Sequence, residues 1–240
     1  MKKILLERFI AKYNLGGTAD SVLLVAKKGD GLSTRCYTED THVVGSVKCA
    51  TLELEDGEYG IFDTQQLKSL LHVLSDEISI KPVKNNSRPV GLSLFDNTTK
   101  ATFSLADKTN IPPVPVAKSV ASYEIVINLD QQFLTTFIRA TSALASQSPT
   151  FTILSDNNKA TVVIGYEHNV NTNRVAIEVN TVQFSPISPI SFSSLSLREI
   201  FLANKEMTSG ILKISSIGLA NVSFSIPEFD VNYYLAKVNI

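Results

Sequence analysis

The 240-residue chain predicts an α+β fold: two similar domains, each of two helix-plus-antiparallel-strand units. Three observations lead there. Most segments alternate apolar and polar residues at period two, as TLELE does at 51–55. Short helical stretches with capping residues recur at 63, 128 and 196, spaced by 65 and 68. A proline-rich stretch, ADKTNIPPVPVAK at 106–118, lies near the midpoint.

The first helix is expected at 3–14 (KILLERFIAKYN), with Ile4, Leu5, Phe9, Ile10 and Tyr13 on its apolar side and Lys3, Glu7, Arg8 and Lys12 largely on the other. Leu15-Gly16-Gly17 stops it. Strands follow, and GDG at 29–31 reads as a hairpin turn. Asp63 then caps FDTQQLKSLLHVLS, with Gln66 at the capping-box position and Phe62 and Leu67 placed as a hydrophobic staple. Leu67, Leu70, Leu71 and Leu74 form its buried face; Gln65, Lys68, Ser69 and His72 form the other. Strands resume at EISIKPV, VGLSLF and ATFSL.

Three prolines in four positions cannot continue a helix or sit in a central strand, so 107–118 reads as a stiff connector between domains at 1–106 and 119–240. The order then repeats. Residues 128–131 (NLDQ) precede a helix that buries Phe133, Leu134, Phe137, Ile138 and Leu144 and turns Thr135, Thr136 and Arg139 outward. Strands TFTIL, ATVVIGYE and RVAIEVNTVQF lead to a capping box at Ser196–Glu199, a Leu195/Ile200 staple and a helix to about Met207. Strands ILKISS, NVSFSIP and VNYYLAKVNI close the chain.

No catalytic apparatus is legible. His42, His72 and His168 fit no metal or nucleophile-activating spacing, and there is no P-loop or GxGxxG. The carboxylates at 39–40 and 53–58 read as solvated turns and strand faces, and no metal or cofactor is expected. Cys36 and Cys49 read as reduced structural thiols, with a cross-strand disulfide as the other arrangement. Glu7, Arg8 and Lys12 interrupt the apolar run of MKKILLERF, so it fails as a signal sequence, and no run approaches the roughly 18 apolar residues of a membrane span. A soluble cytoplasmic protein is expected, without a membrane partner.

The net charge is −1. The helical windows 2–14, 64–75, 131–146 and 197–207 carry +3, +1, +1 and 0, leaving −6 elsewhere. Charge separated by element type suits a weak, sequence-indifferent contact with phosphates rather than base readout.

The order of elements resembles that of DNA sliding clamps over nearly the whole chain. EYGIFDTQQLKSLLHVLSDEISI, ATFSLADKTNIPPVPVAKSV, SFSSLSLREIFLANKEMTSGILKISS and VNYYLAKVNI carry the resemblance. It is nearer to the clamp of T-even-type bacteriophages than to proliferating cell nuclear antigen, because the second half lacks an acidic insertion. The resemblance implies a head-to-tail homotrimeric ring that encircles double-stranded DNA, is opened by a clamp loader and tethers a DNA polymerase, in the cytoplasm of an infected bacterium. It places Lys3, Arg8, Lys12, Lys68, His72, Arg139, Arg198 and Lys205 toward DNA. It implies a partner-peptide pocket at Val43, Ile111, Val114, Val116, Pro227 and Leu235. It also implies a protomer interface between Ala101–Leu105 and Ala160–Glu167. A two-domain β-rich structural or assembly protein without a DNA role is the alternative reading.

Overall fold

Three of the four helices start at a side-chain cap. The computed structural model describes residues 1–116, 120–156, 159–168 and 171–238; connector residues 117 and 118 lie outside the described residues. Helix α1 spans Lys3–Asn14, α2 Thr64–His72, α3 Gln131–Leu144 and α4 Ser194–Ala203. Asp63 caps α2 by accepting from the Gln66 amide. The cap of α3 is Asp130, not Asn128, and accepts from the Phe133 amide. The cap of α4 is Ser193, not Ser196, and accepts from the Ser196 amide. Helix α4 therefore starts and ends earlier than expected, because Ile190–Ser193 is a strand and the chain enters the helix directly from it.

Two compact units result. Unit 1 comprises Met1–Glu39, Gly45–Pro115 and Pro227–Val231; unit 2 comprises Asp40–Val44, Val116–Ile226 and Asn232–Ile240.

In unit 1, strands β1 (Val22–Lys27), β2 (Gly31–Tyr37), β3 (Val43–Cys49, its last five residues) and β4 (Gly57–Ile61) lie in the order β3-β2-β1-β4. The turn of the β1–β2 hairpin holds Gly29 at φ 79° and Gly31 at φ 80°. A second sheet, β5 (Ser79–Asn85), β6 (Arg88–Phe95) and β7 (Lys100–Ser104), runs in chain order. Leu6 of α1 and Leu67 of α2 meet Ile80, Leu92 and Leu94 in one apolar cluster. Tyr13 and Thr64 share a buried hydroxyl–hydroxyl hydrogen bond of 3.2 Å, which joins α1 to the start of α2. Burial holds the Tyr13 hydroxyl well above its ordinary pKa.

In unit 2, β8 (Ile125–Leu129), β12 (Thr181–Phe184), β14 (Ser209–Ser215), β15 (Leu219–Ile226) and β16 (Phe229–Ala236, from Asn232) follow the order β12-β8-β14-β15-β16. Strands β9 (Thr150–Asp156), β10 (Lys159–Ile164), β11 (Val175–Glu178) and β13 (Ile190–Ser193) form a sheet of order β11-β10-β9-β13. A chain of ring contacts runs through this core. Phe137 meets Phe133, Phe151 and Phe201, and Phe201 continues to Phe224 and Tyr233.

The local staples do not form as expected. Phe62 is 55% exposed, and Leu195 lies inside α4 on an exposed position. Ile4 is 57% exposed, because it sits across the helical wheel from Leu6, Phe9, Ile10 and Tyr13. Cys36 and Cys49 are free and buried, and burial pushes the Cys36 thiol up to about 12.

Two glycines of one turn, on either side of Asp30, separate two costs. A Cβ on Gly31 would lie 2.2 Å from the Cys49 carbonyl oxygen, whereas one on Gly29 meets nothing within 4 Å. Gly29→Ala is expected to cost about 1 kcal/mol, the left-handed penalty alone; Gly31→Ala adds a backbone clash and is expected to cost well over 2 kcal/mol. Denaturant midpoints of the two variants check the difference.

Asp96 accepts from the amides of Ser75, Thr98 and Thr99, which holds its carboxyl well below the usual range. The folded pKa is depressed, so the stabilisation is present above about pH 4, where the unfolded carboxyl is already ionised. It is lost as pH falls through the folded pKa. Asp96→Asn is expected to flatten the acid limb of the stability–pH curve, measured by urea unfolding.

Candidate nucleic-acid interface and partner cleft

Eight groups on the helices were expected to face a polyanion, and the structure sorts them. Lys12 is fully buried, with its ammonium 4.7 Å from the Phe229 ring centroid. It lies on the side of α1 that Phe229 covers, next to the apolar stripe, so it faces no exposed surface. Arg8, one turn earlier, lies 4.9 Å from the same ring and pairs with Glu228 at 3.2 Å. Lys3 donates to the Leu74 carbonyl at 2.6 Å, fastening α1 to the end of α2. Arg198 pairs with its neighbour Glu199 at 2.6 Å.

The remaining four stay available. Lys68 is half-buried, and His72, Arg139 and Lys205 are exposed. Lys68, Arg139 and Lys205 form no ion pair among the described residues. Around them stand amides and hydroxyls: Gln65, Gln66 and Ser69 on α2, and Gln132, Thr135, Thr136 and Ser142 on α3. Gln131 turns away from capping and donates to the carbonyls of Lys205 and Met207, tying the start of α3 to the chain after α4. The helices carry little free positive charge, which fits a weak contact with phosphates.

The separation of charge by element type is also smaller than expected. Residues 79–104, all in or between β5, β6 and β7, carry Lys81, Lys84, Arg88 and Lys100 against Asp96, a net +3 outside any helix.

The connector lies over the β1–β3 face of unit 1. The Ala106 amide donates to Gly60 O at 2.9 Å, and a Cβ on Gly60 would come within 2.6 Å of Ala106 O, so glycine allows that close approach. Lys108 pairs with Glu58, Arg88 pairs with Asp107, and Arg35 donates to the Pro115 carbonyl at 2.8 Å. A cleft of about 650 Å³ opens between connector and sheet. Its apolar walls are Leu23 and Val25 on one side and Ile111, Pro112 and Val114 on the other. Lys27, Arg35, Lys48, Lys108, Asp30 and Asp230 stand around it, a net +2.

Of the six expected pocket residues, Ile111 and Val114 line this cleft. Val116 is 84% exposed, Pro227 is exposed, and neither lines it. Val43 and Leu235 are 0% and 1% exposed, which corrects their assignment. Side chains alternate along a strand, so Leu235 points into the core while Tyr234 and Ala236 are half-exposed, and Val44 is half-exposed where Val43 is not. The wall residues Leu23 and Val25 were missed, although VLLVA is apolar on both faces, the mark of a strand covered on both.

The expected protomer edge also moves. Strand β10 is paired on both sides, by β9 and β11, and Gly165–Glu167 leaves the strand. The edges of that sheet are β11 and β13. In unit 1, the edges of the three-stranded sheet are β5 and β7.

The burial of Lys12 separates stability from binding. Lys12→Glu would bury a carboxylate against Phe229, and is expected to cost about 3 kcal/mol or more. Lys68→Glu, Arg139→Glu and Lys205→Glu are each expected to stay within about 0.5 kcal/mol of the parent. Thermal or urea unfolding of the four variants checks this.

No family model matches the sequence, and no curated protein does. The three-dimensional fold does have a counterpart. The chain matches the crystal structure of Proliferating Cellular Nuclear Antigen from Entamoeba histolytica with a TM-score of 0.75 and 16% identity, over 99% of this chain and 96% of that chain. At that identity the likeness is one of fold alone: paired units of helices and antiparallel sheets.

Proposed function

We propose that the protein is a DNA sliding clamp: a homotrimeric ring that encircles duplex DNA, is opened by a clamp loader and tethers a DNA polymerase, with no catalytic step of its own. The observation that carries this reading is the fold match across 99% of the chain. We take it to be a clamp of the T-even-type bacteriophage kind, which the order of its elements resembles, acting in the cytoplasm of an infected bacterium.

The sheet edges support head-to-tail assembly. Edge strand β5 is blunted by Pro82 and carries Lys81 and Lys84, devices that discourage pairing. Edge strands β7 and β11 contain no proline. Pairing β7 of one protomer with β11 of the next is a heterologous contact, which closes a ring if the rotation is right.

Topology then holds the clamp on DNA, so the helices need only weak, mobile contacts. Lys68, Arg139 and Lys205 would make them, with His72 beside Lys68. The connector cleft would take an apolar peptide with acidic flanks, such as a polymerase tail, between Val25 and Val114 with its acids on the basic rim.

Native mass spectrometry is expected to find three times the 26.2 kDa chain. A monomer at micromolar concentration that does not extend polymerase products would sink the clamp reading. Lys68→Glu, Arg139→Glu and Lys205→Glu combined should shorten the products made per binding event while leaving the native mass unchanged. Val114→Asp should abolish capture of the polymerase tail peptide, measured by calorimetry.

A further inference from the structure

The three-stranded sheet of unit 1 has a second face. Ile80, Leu92 and Leu94 face the helices, so their neighbours along each strand face the other way. The register sets those neighbours in three rows: Ser79, Phe95 and Lys100; Lys81, Ser93 and Thr102; Val83, Gly91 and Ser104. Two of the nine positions are cations, and none is a carboxylate. Neither Lys81 nor Lys100 forms an ion pair among the described residues, whereas Lys84 and Arg88 at the hairpin end are held by Glu55 and Asp107. The Lys81 ammonium lies 5.7 Å from the Phe95 ring centroid.

The corresponding sheet of unit 2 has a different face. Its rows, Thr152, Val163 and Ala176, then Leu154, Thr161 and Glu178, then Asp156 and Lys159, hold two carboxylates and one cation. The basic face is thus a property of one sheet and not of the duplicated fold.

We infer that this face of β5, β6 and β7 binds single-stranded nucleic acid, with a base against Phe95 and phosphates on Lys81 and Lys100. The lysines stand on β5 and β7 with one strand between them and two residues out of register, so their backbones are about 12 Å apart and their long side chains reach toward the ring from two sides. An acidic peptide could use the cations but has no need of the ring. A duplex could offer phosphates, but its bases are stacked away. A single strand offers an open base and its phosphates together. The contact between the exposed Lys81 and the half-buried Phe95 is weak enough for a base to replace the ammonium over the ring. Ser79, Thr102 and Ser104 add hydroxyl donors beside the phosphates, and Gly91 leaves the third row without a side chain. The inference goes beyond the clamp reading and does not depend on it.

The test is fluorescence anisotropy of a labelled oligothymidylate of about twelve nucleotides with the full chain at low salt. Lys81→Ala with Lys100→Ala is expected to weaken binding at least tenfold and to reduce the salt slope by about 1.4, two phosphate contacts' worth. Phe95→Ala is expected to weaken binding several-fold without changing the salt slope, with Phe95→Leu as the control that preserves packing if the alanine variant melts early. Removing the charges of Lys68, Arg139 and Lys205 should leave oligothymidylate binding in place. Binding that survives the double lysine change overturns the inference. So does equal competition by polyglutamate with no effect of Phe95→Ala, which would assign the face to an acidic peptide. Failure of the clamp reading would appear separately, in the native mass.

Discussion

Helices of nine to fourteen residues are marginal on their own, and each must fasten an apolar stripe to a sheet to persist. The rest of the structure depends on that constraint. In unit 2 the fastening is aromatic: Phe133, Phe137 and Phe201 interlock above Phe151 and reach Tyr233 through Phe224. In unit 1 it is largely aliphatic, through Leu6 and Leu67 against Ile80, Leu92 and Leu94. Once one stripe of a helix is committed to the core, the opposite stripe can serve a partner. The hydroxyls, amides and few cations of α2 and α3 occupy that stripe.

The same constraint explains why the helical charges overstated the exposed charge. A cation beside the apolar stripe is close enough for another segment to cover. Phe229 and Glu228 do this to Lys12 and Arg8, and Leu74 O does it to Lys3. Arg198 is neutralised by its own chain neighbour. What remains is a sparse set of cations among uncharged donors. In the proposed clamp, such a surface would pass over phosphates without holding any one of them.

Strand parity decided the outer surfaces. Leu235 and Val43 were chosen as apolar residues near the right segments, and both point inward; their neighbours Tyr234, Ala236 and Val44 point outward. Parity also reveals the connector cleft, because Leu23 and Val25 face the connector while Leu24 and Val22 fill the core. Edge status could not be read from apolar character. VVIGYE looked like a free edge, yet β10 lies between β9 and β11.

By itself the sequence determined the local features: four short helices with their positions to within a few residues, the cap at Asp63, the glycine turn at 29–31, the extended proline segment and the repeated order that led to the clamp fold. These depend on residues within one or two turns of each other, so short-range physics suffices. The tertiary structure alone decided which cations are free, which strand faces are outward, which edges are open and where the cleft lies. Those outcomes depend on distant partners, as when Arg8 meets Glu228 across 220 residues. No local pattern encodes what a remote segment will cover.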